Sequence, residues 1–259
     1  MPSKPLALIT GASAGIGATF ARQLAARGYS LILVARRRDR LEQLASELGS
    51  AEVIAADLTD PAQLKTVEDR LRATPPVDLL VNNAGFGISG RFWDTEVDAQ
   101  EQMHRLHIVT TMRLTHAALS VMVPRQQGAV INVSSVAAFV ASPGSVTYGA
   151  TKCWMNRFTE GLYLELGRLS SPVRIQALCP GFTRSEFHDV ARIDPATVPV
   201  SLWTTADDVV AASLAGLERN KLFVVPGWRY KLLVRALAVL PMPLIRAAAI
   251  RTARRRGHK

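Results

Sequence analysis

Seven short apolar runs punctuate the chain: LALIT (6–10), LILVA (31–35), EVIAA (52–56), DLLVNN (78–83), AVINVS (129–134), RIQALC (174–179) and LFVVP (222–226). Each is rich in Val, Ile and Leu and none alternates strictly, which is the pattern of strands buried on both faces of a sheet. Helix-patterned segments separate them, such as GATFARQLAARG (17–28) and RDRLEQLASELG (38–49), each ending on a glycine or just short of one, placed as a C-terminal cap. Strand and helix alternate throughout. The pattern predicts an α/β protein: a doubly wound, Rossmann-type parallel sheet of about seven strands, with right-handed crossovers and helices on both faces. No internal repeat, low-complexity segment or interdomain linker interrupts it.

The 259 residues, 48% hydrophobic and 20% charged, suffice for one sizeable core. Cys153 and Cys179 form no CxxC or metal-like cluster, and LALIT is too short for a secretory signal and runs straight into a glycine turn. Reduced thiols, no metal and a cytoplasmic chain are expected. The formal charge of +10 suggests nucleic acid until it is divided along the sequence. No acidic residue follows Glu218, and nine of the 31 basic residues lie from Arg229 onward, which leaves the preceding 228 residues near +1. The body is almost neutral and the basicity is a tail, without the interleaved aromatics of a nucleic-acid surface. The expected organisation is a single Rossmann-type domain over 1–228 and a basic, partly apolar extension over 229–259.

TGASAGIG (10–17) joins the first strand to the first helix. Gly11, Gly15 and Gly17 suit a tight turn, close backbone approach to a pyrophosphate and close helix–strand packing, and the helix N-terminus offers free amides to an anion. Ribose selection falls at the end of the second strand, where Ala35 and Arg36 are followed by Arg37 and Arg38. A guanidinium there favours a 2′-phosphate, so NADPH is expected over NADH, with Arg36 as the partner and at least one of the three arginines merely starting a solvated helix. YGATK (148–152) sets Tyr148 and Lys152 four residues apart, on one face of a helix.

TGASAGIG, Asp57-Leu58, NNAG (82–85), the serine of NVSS and Tyr-x-x-x-Lys, in this order, resemble the short-chain dehydrogenase/reductase superfamily from residue 4 to about 226. The resemblance implies that Gly11, Ser13, Ala14, Gly15, Ile16 and Gly17 cradle the cofactor, Asp57 contacts adenine with the Leu58 backbone beside it, and Asn83, Ala84 and Gly85 line its ribose. It selects Ser135, thirteen residues before Tyr148, over Ser134. Pro180, Gly181 and Thr183, with Ser185, would flank the nicotinamide. Tyr148 would exchange a proton with the substrate oxygen, Ser135 would hold that oxygen, and Lys152 would bind the ribose and tune the phenol. Two unit charges about 5 Å apart at an effective dielectric near 20 interact by about 3 kcal/mol, so Lys152 is expected to lower the Tyr148 pKa by about two units from about 10. His107 departs from the pattern, standing where the family commonly has an asparagine that supports a proton relay. Either the relay survives in altered form through the ring nitrogens, or His107 packs in the core with a backbone partner.

The reading is NADPH-dependent reduction of a ketone or aldehyde, or the reverse oxidation of a secondary alcohol. The alternative keeps the fold and cofactor for a non-catalytic sensor or assembly protein, a role that needs no correctly spaced phenol. The resemblance also implies a homodimer or homotetramer. Residues 182–218 should hold the substrate loop, with Phe182, Phe187 and Trp203 as an apolar lining and Thr205 or Asp207 capping a helix. In the tail, Arg235, Pro241, Pro243 and Arg246 argue against a membrane span. Two short amphipathic helices divided by PMP are expected, either associated with an anionic membrane surface or packed as a solvated tail.

Overall fold

The computed structural model describes residues 4–184, 186 and 198–256. Its seven strands are β1 (Leu6–Thr10), β2 (Ser30–Ala35), β3 (Glu52–Ala55), β4 (Leu79–Asn82), β5 (Ala129–Val133), β6 (Arg174–Leu178) and β7 (Phe223–Val224). They form one sheet in the order β3-β2-β1-β4-β5-β6-β7, and every pair is parallel. The order reverses between β1 and β4, which opens a crevice at their C-terminal ends.

The lack of alternation in the apolar runs follows from cover on both faces. Ala7 and Ile9 of β1 pack with Phe20 and Leu24 of α1 (Gly15–Ala26), Leu41 and Leu44 of α2 (Arg38–Glu47) and Leu214. Leu6 and Leu8 point the other way, into a second core with Leu64, Val67 and Leu71 of α3 (Pro61–Arg72) and with Leu114 and Met122. Gly28 and Gly49, at φ +84° and +85°, follow α1 and α2 in the left-handed region that an αL cap requires. Asp60 caps α3 by accepting from the Ala62 and Gln63 amides, with Pro61 in the first turn where its missing N–H costs nothing.

The next rod contains a break that periodicity did not announce. Helix α4 (Val97–His104) runs into a π-helical turn, Arg105–Thr110, and on into α5 (Thr111–Met122). Then come the long α6 (Val146–Arg168) and α7 (Ala206–Glu218), which starts at Thr205, whose hydroxyl accepts from the Asp208 amide. Of the two expected caps it is Thr205 that serves. The tail forms α8 (Trp228–Val239) and α9 (Met242–Arg256), divided at Leu240–Pro241.

Candidate active site

The crevice between β1 and β4 is knitted by Thr10 and Asn83. The Thr10 hydroxyl accepts from the Asn83 and Ala84 amides, both at 3.0 Å, while the Asn83 side chain donates to the Thr10 carbonyl at 2.9 Å. These bonds bring the glycine loop against the Asn83–Gly85 segment. A Cβ on Gly17 would lie 2.3 Å from the Gly11 carbonyl oxygen, and Gly11 itself adopts φ +66° beside Asn83. Ala14, at the N-cap of α1, makes no side-chain cap and the first turn holds no acidic residue, so the helix start keeps amides for an anion. A loop so close that a methyl group would not fit, ending at uncapped amides, suits a pyrophosphate.

At the end of β2 the three arginines separate. Arg38 pairs with Glu42 at 3.6 Å on an exposed helix face, the solvated role expected for at least one of them. Arg36 is exposed and its charge helps lower the Asp57 pKa. Arg37 turns to the glycine loop, donating from Nε and Nη2 to Ser13 Oγ at 3.3 and 3.0 Å and from Nη1 to Glu186 at 3.0 Å, and Arg40 also pairs with Glu186. A carboxylate held by two guanidiniums beside the loop hydroxyl marks a place built for an anion. Of the three arginines, Arg37 is the one whose side chain reaches the glycine loop. Asp57 closes its own turn, accepting from the Thr59 amide and hydroxyl at 2.9 and 2.7 Å. Burial raises its pKa, but those bonds and Arg36 outweigh it and the net shift is downward. Leu58 is buried, its carbonyl accepting from Thr110 at 2.7 Å.

Ser135, Tyr148 and Lys152 converge at the C-terminal end of β5. Ser135 caps a short 3-10 turn, Val136–Phe139, accepting from the Ala137 amide at 3.1 Å, and its hydroxyl is a hydrogen-bond partner of the Tyr148 phenol. Ser134 is turned away, donating to the Lys152 carbonyl at 3.2 Å. The Lys152 Nζ sits 5.7 Å from the centre of the Tyr148 ring and donates to the Val133 carbonyl at 2.8 Å. The electrostatics here run opposite to the expected lowering of the phenol. Burial pushes the Tyr148 phenol up to about 12, against the lowering effect of Ser135, and the same burial brings the Lys152 ammonium down to about 7, partly offset by Cys179. Desolvation disfavours both charged forms at once, and a lysine near half-charge pulls weakly on its neighbour.

His107 lies in the π-helical turn, fully buried, its ring 5.8 Å from that of Tyr148. The Phe86 amide can only donate, so Nε2 accepts from it at 3.3 Å and the ring proton resides on Nδ1, which donates to Thr151 Oγ1 at 2.9 Å. The Thr151 hydroxyl in turn donates to the Tyr148 carbonyl at 2.8 Å. Burial first, then Lys152 and His104, holds the His107 imidazole well below its usual range. A Cβ on Gly85 would stand 2.7 Å from Nε2, so that glycine admits the ring. Thr151 was invisible to motif reading, although its place one turn after Tyr148 was the available signal.

Pro180 accepts from the Val136 amide at 3.0 Å, and Thr183, buried, donates to the Gly181 carbonyl at 3.1 Å. Gly181 is roofed by Tyr230 of α8, where a Cβ would fall 2.0 Å from the ring, and the Tyr230 hydroxyl accepts from the Phe182 amide at 3.0 Å and donates to Leu202 O at 2.7 Å. Nothing in the tail's composition signalled that contact. Phe182 and Trp203 pack with ring centres 5.8 Å apart. Ser185 and Phe187 lie outside the described residues, and among the described residues no cluster of three potential metal ligands occurs.

A doubly wound sheet whose glycine loop, switch-point asparagine and Ser-Tyr-Lys cluster face one crevice defines a dinucleotide-binding oxidoreductase. The short chain dehydrogenase family model matches residues 5–195, and the chain belongs to that family. It is similar to a short-chain dehydrogenase from Sphingobium yanoikuyae solved in complex with NADPH, at 38% identity and TM-score 0.82 over 92% of this chain and 97% of that one. A bulky-bulky ketone specific alcohol dehydrogenase from Comamonas testosteroni is similar at 34% identity and TM-score 0.78, over 92% and 95%. The serine 3-dehydrogenase of Agrobacterium fabrum is 32% identical over 248 residues, 91% of this chain and 93% of its own.

Proposed function

We propose that this protein reduces a lipophilic ketone or aldehyde with NADPH, or oxidises the corresponding secondary alcohol in reverse. The observation that carries the reading is the convergence of Ser135, Tyr148 and Lys152 at the C-terminal end of β5, since a sensor or assembly protein needs no buried phenol hydrogen-bonded to a serine. When bound, the nicotinamide supplies or accepts the hydride. The chain's residues do the rest. Ser135 and Tyr148 hold the carbonyl oxygen, and Tyr148 delivers the proton to it, stabilising the charge that develops there. A phenol near 12 carries its proton at neutral pH, which is the form that reduction uses. Lys152, which donates to the Val133 carbonyl, would hold the ribose and lend its charge to the phenol.

The anion-ready helix start, Gly11, Gly17 and Asn83 would hold the pyrophosphate and the adjoining ribose, with Asp57 near the adenine. Arg37 and Ser13, assisted by Arg36 and Arg40, would take the 2′-phosphate in place of the Glu186 carboxylate. Support for NADPH comes from this guanidinium pair and from the Sphingobium relative solved with NADPH. The Phe182–Trp203 pair and the Comamonas relative's specificity for bulky ketones support an apolar substrate. In this reading residues 1–228 form the catalytic unit of a cytoplasmic homodimer or homotetramer, and the extension seats on it through Tyr230.

The test is a panel of bulky ketones, aldehydes, steroids and acyl thioesters with NADPH, followed by loss of the reduced nicotinamide absorbance. Tyr148→Phe should abolish turnover of any accepted substrate and leave NADPH affinity within about twofold, because it removes the proton and almost no surface. Wild-type turnover by Tyr148→Phe would overturn the assignment of the acid.

A further inference from the structure

Helix α8 has two apolar faces. Tyr230, Val234 and Leu237 recur at helical spacing, Tyr230 buried and the other two half-buried. Trp228, Leu232 and Val239 fall opposite them by the 3.6-residue period and are 66%, 60% and 81% exposed. Beyond Pro241, Met242, Leu244 and Ile250 of α9 are exposed as well. A single exposed leucine is ordinary. A row of large apolar side chains on a helix already anchored by its other side calls for a cover.

The charge pattern says which cover. The charged side chains described in α8 and α9 are Arg229, Lys231, Arg235, Arg246, Arg251 and Arg254, all exposed and all basic. No Asp or Glu follows Glu218 anywhere in the sequence. By the same period Lys231 and Arg235 border one side of the Trp228–Leu232–Val239 row and Arg229 the other, so cations edge the apolar strip. A two-fold contact with a second copy would set these all-basic helices against themselves. An anionic lipid surface instead offers acyl chains to the strip and phosphates to its border. Among the described residues no helix is long and apolar enough to cross a membrane.

We infer that α8 and α9 rest on an anionic phospholipid surface, with Trp228, Leu232 and Val239 entering the headgroup boundary. The opposite face of α8 carries Tyr230, which roofs Gly181, so the lipid-facing helix is tied rigidly to the segment beside the crevice. The inference does not depend on the proposed reductase activity, and its test reads binding alone.

The experiment is sedimentation of the whole chain with vesicles of phosphatidylcholine, and of phosphatidylcholine mixed with phosphatidylglycerol, at low and raised salt. Binding to the mixed vesicles, reversed by salt and weak on phosphatidylcholine alone, is expected. Each basic residue near such a surface contributes about fivefold to partitioning, so K231Q/R235Q/R246Q/R251Q should lose about a hundredfold or more. L232S/V239S should lose at least about tenfold while the melting temperature holds, because both side chains are exposed. No sedimentation with anionic vesicles at low salt would overturn the inference, as would equal binding to both vesicle types. It would also fall if light scattering showed an oligomer that L232S/V239S dissociates, since a second copy would then cover the strip.

Discussion

Acid should weaken this protein first through His107. The folded imidazole is held well below its usual range, whereas in the unfolded chain it titrates near 6.5. Below about pH 6.5 the unfolded state therefore binds a proton that the folded state refuses. Stability is fully present above that pH and falls by up to about 1.4 kcal/mol per unit as pH drops, until the folded imidazole itself titrates. The structural cause is direct: a proton on Nε2 would face the Phe86 N–H, two donors with no acceptor between them. Lys152, lowered to about 7, is charged in both states below that value and adds no slope there; its own loss of stability occurs as pH falls from about 10.5 toward 7. The depressed carboxyl of Asp57 acts only below about pH 4. Among the shifts of the described residues, the window from about 6.5 to 4.5 thus belongs to His107. His107→Asn removes the titrating ring and unpairs the Phe86 amide, which costs about 1–3 kcal/mol at neutral pH. Urea midpoints for both proteins between about pH 7.5 and 5 give the answer: the gap between them should be widest at neutral pH and shrink by about 1 kcal/mol per unit below 6.5. A gap that stays constant across that range would refute the reasoning. Because both ring nitrogens are already committed to Phe86 and Thr151, the pH profile of turnover should be unchanged in the variant.

Three further outcomes are expected. Arg37→Ala should weaken NADPH about tenfold or more and NADH little, since a charge-assisted partner contributes about 1.5–3 kcal/mol, with Arg36→Ala smaller in the same direction; equal losses for both cofactors in a fluorescence titration would make these arginines structural. Tyr230→Phe removes the hydroxyl that accepts from the Phe182 amide and donates to the Leu202 carbonyl, and should lower the melting temperature by about 2–4 °C for each of the 1–3 kcal/mol lost, so an unchanged calorimetric midpoint would show that the hydroxyl ties nothing down. Gly17→Ala sets a methyl 2.3 Å from the Gly11 carbonyl oxygen and should cost stability and at least about tenfold in NADPH affinity, and cofactor titration with native affinity would show a loop looser than its geometry.

The strands, their parallel pairing and the glycine loop were legible in the linear sequence because each depends on local rules: residue period, glycine conformation and the alternation of elements. Ser135, Tyr148 and Lys152 were legible too, since motif order places them, and the αL glycines after α1 and α2 stand where the pattern put them. Other features were decided only by tertiary packing. The π-helical turn that carries His107 inward leaves no mark in a 3.6-residue pattern, and its partners Phe86 and Thr151 come from two other parts of the chain. Which of three consecutive arginines faces the loop depends on where Ser13 and Glu186 stand, not on the run itself. The Tyr148–Lys152 spacing suggested a lowered phenol, yet the pKa of a buried group is set by everything that displaces water around it. Here desolvation dominates at both side chains, and only the folded surroundings of β5 and α6 could establish that.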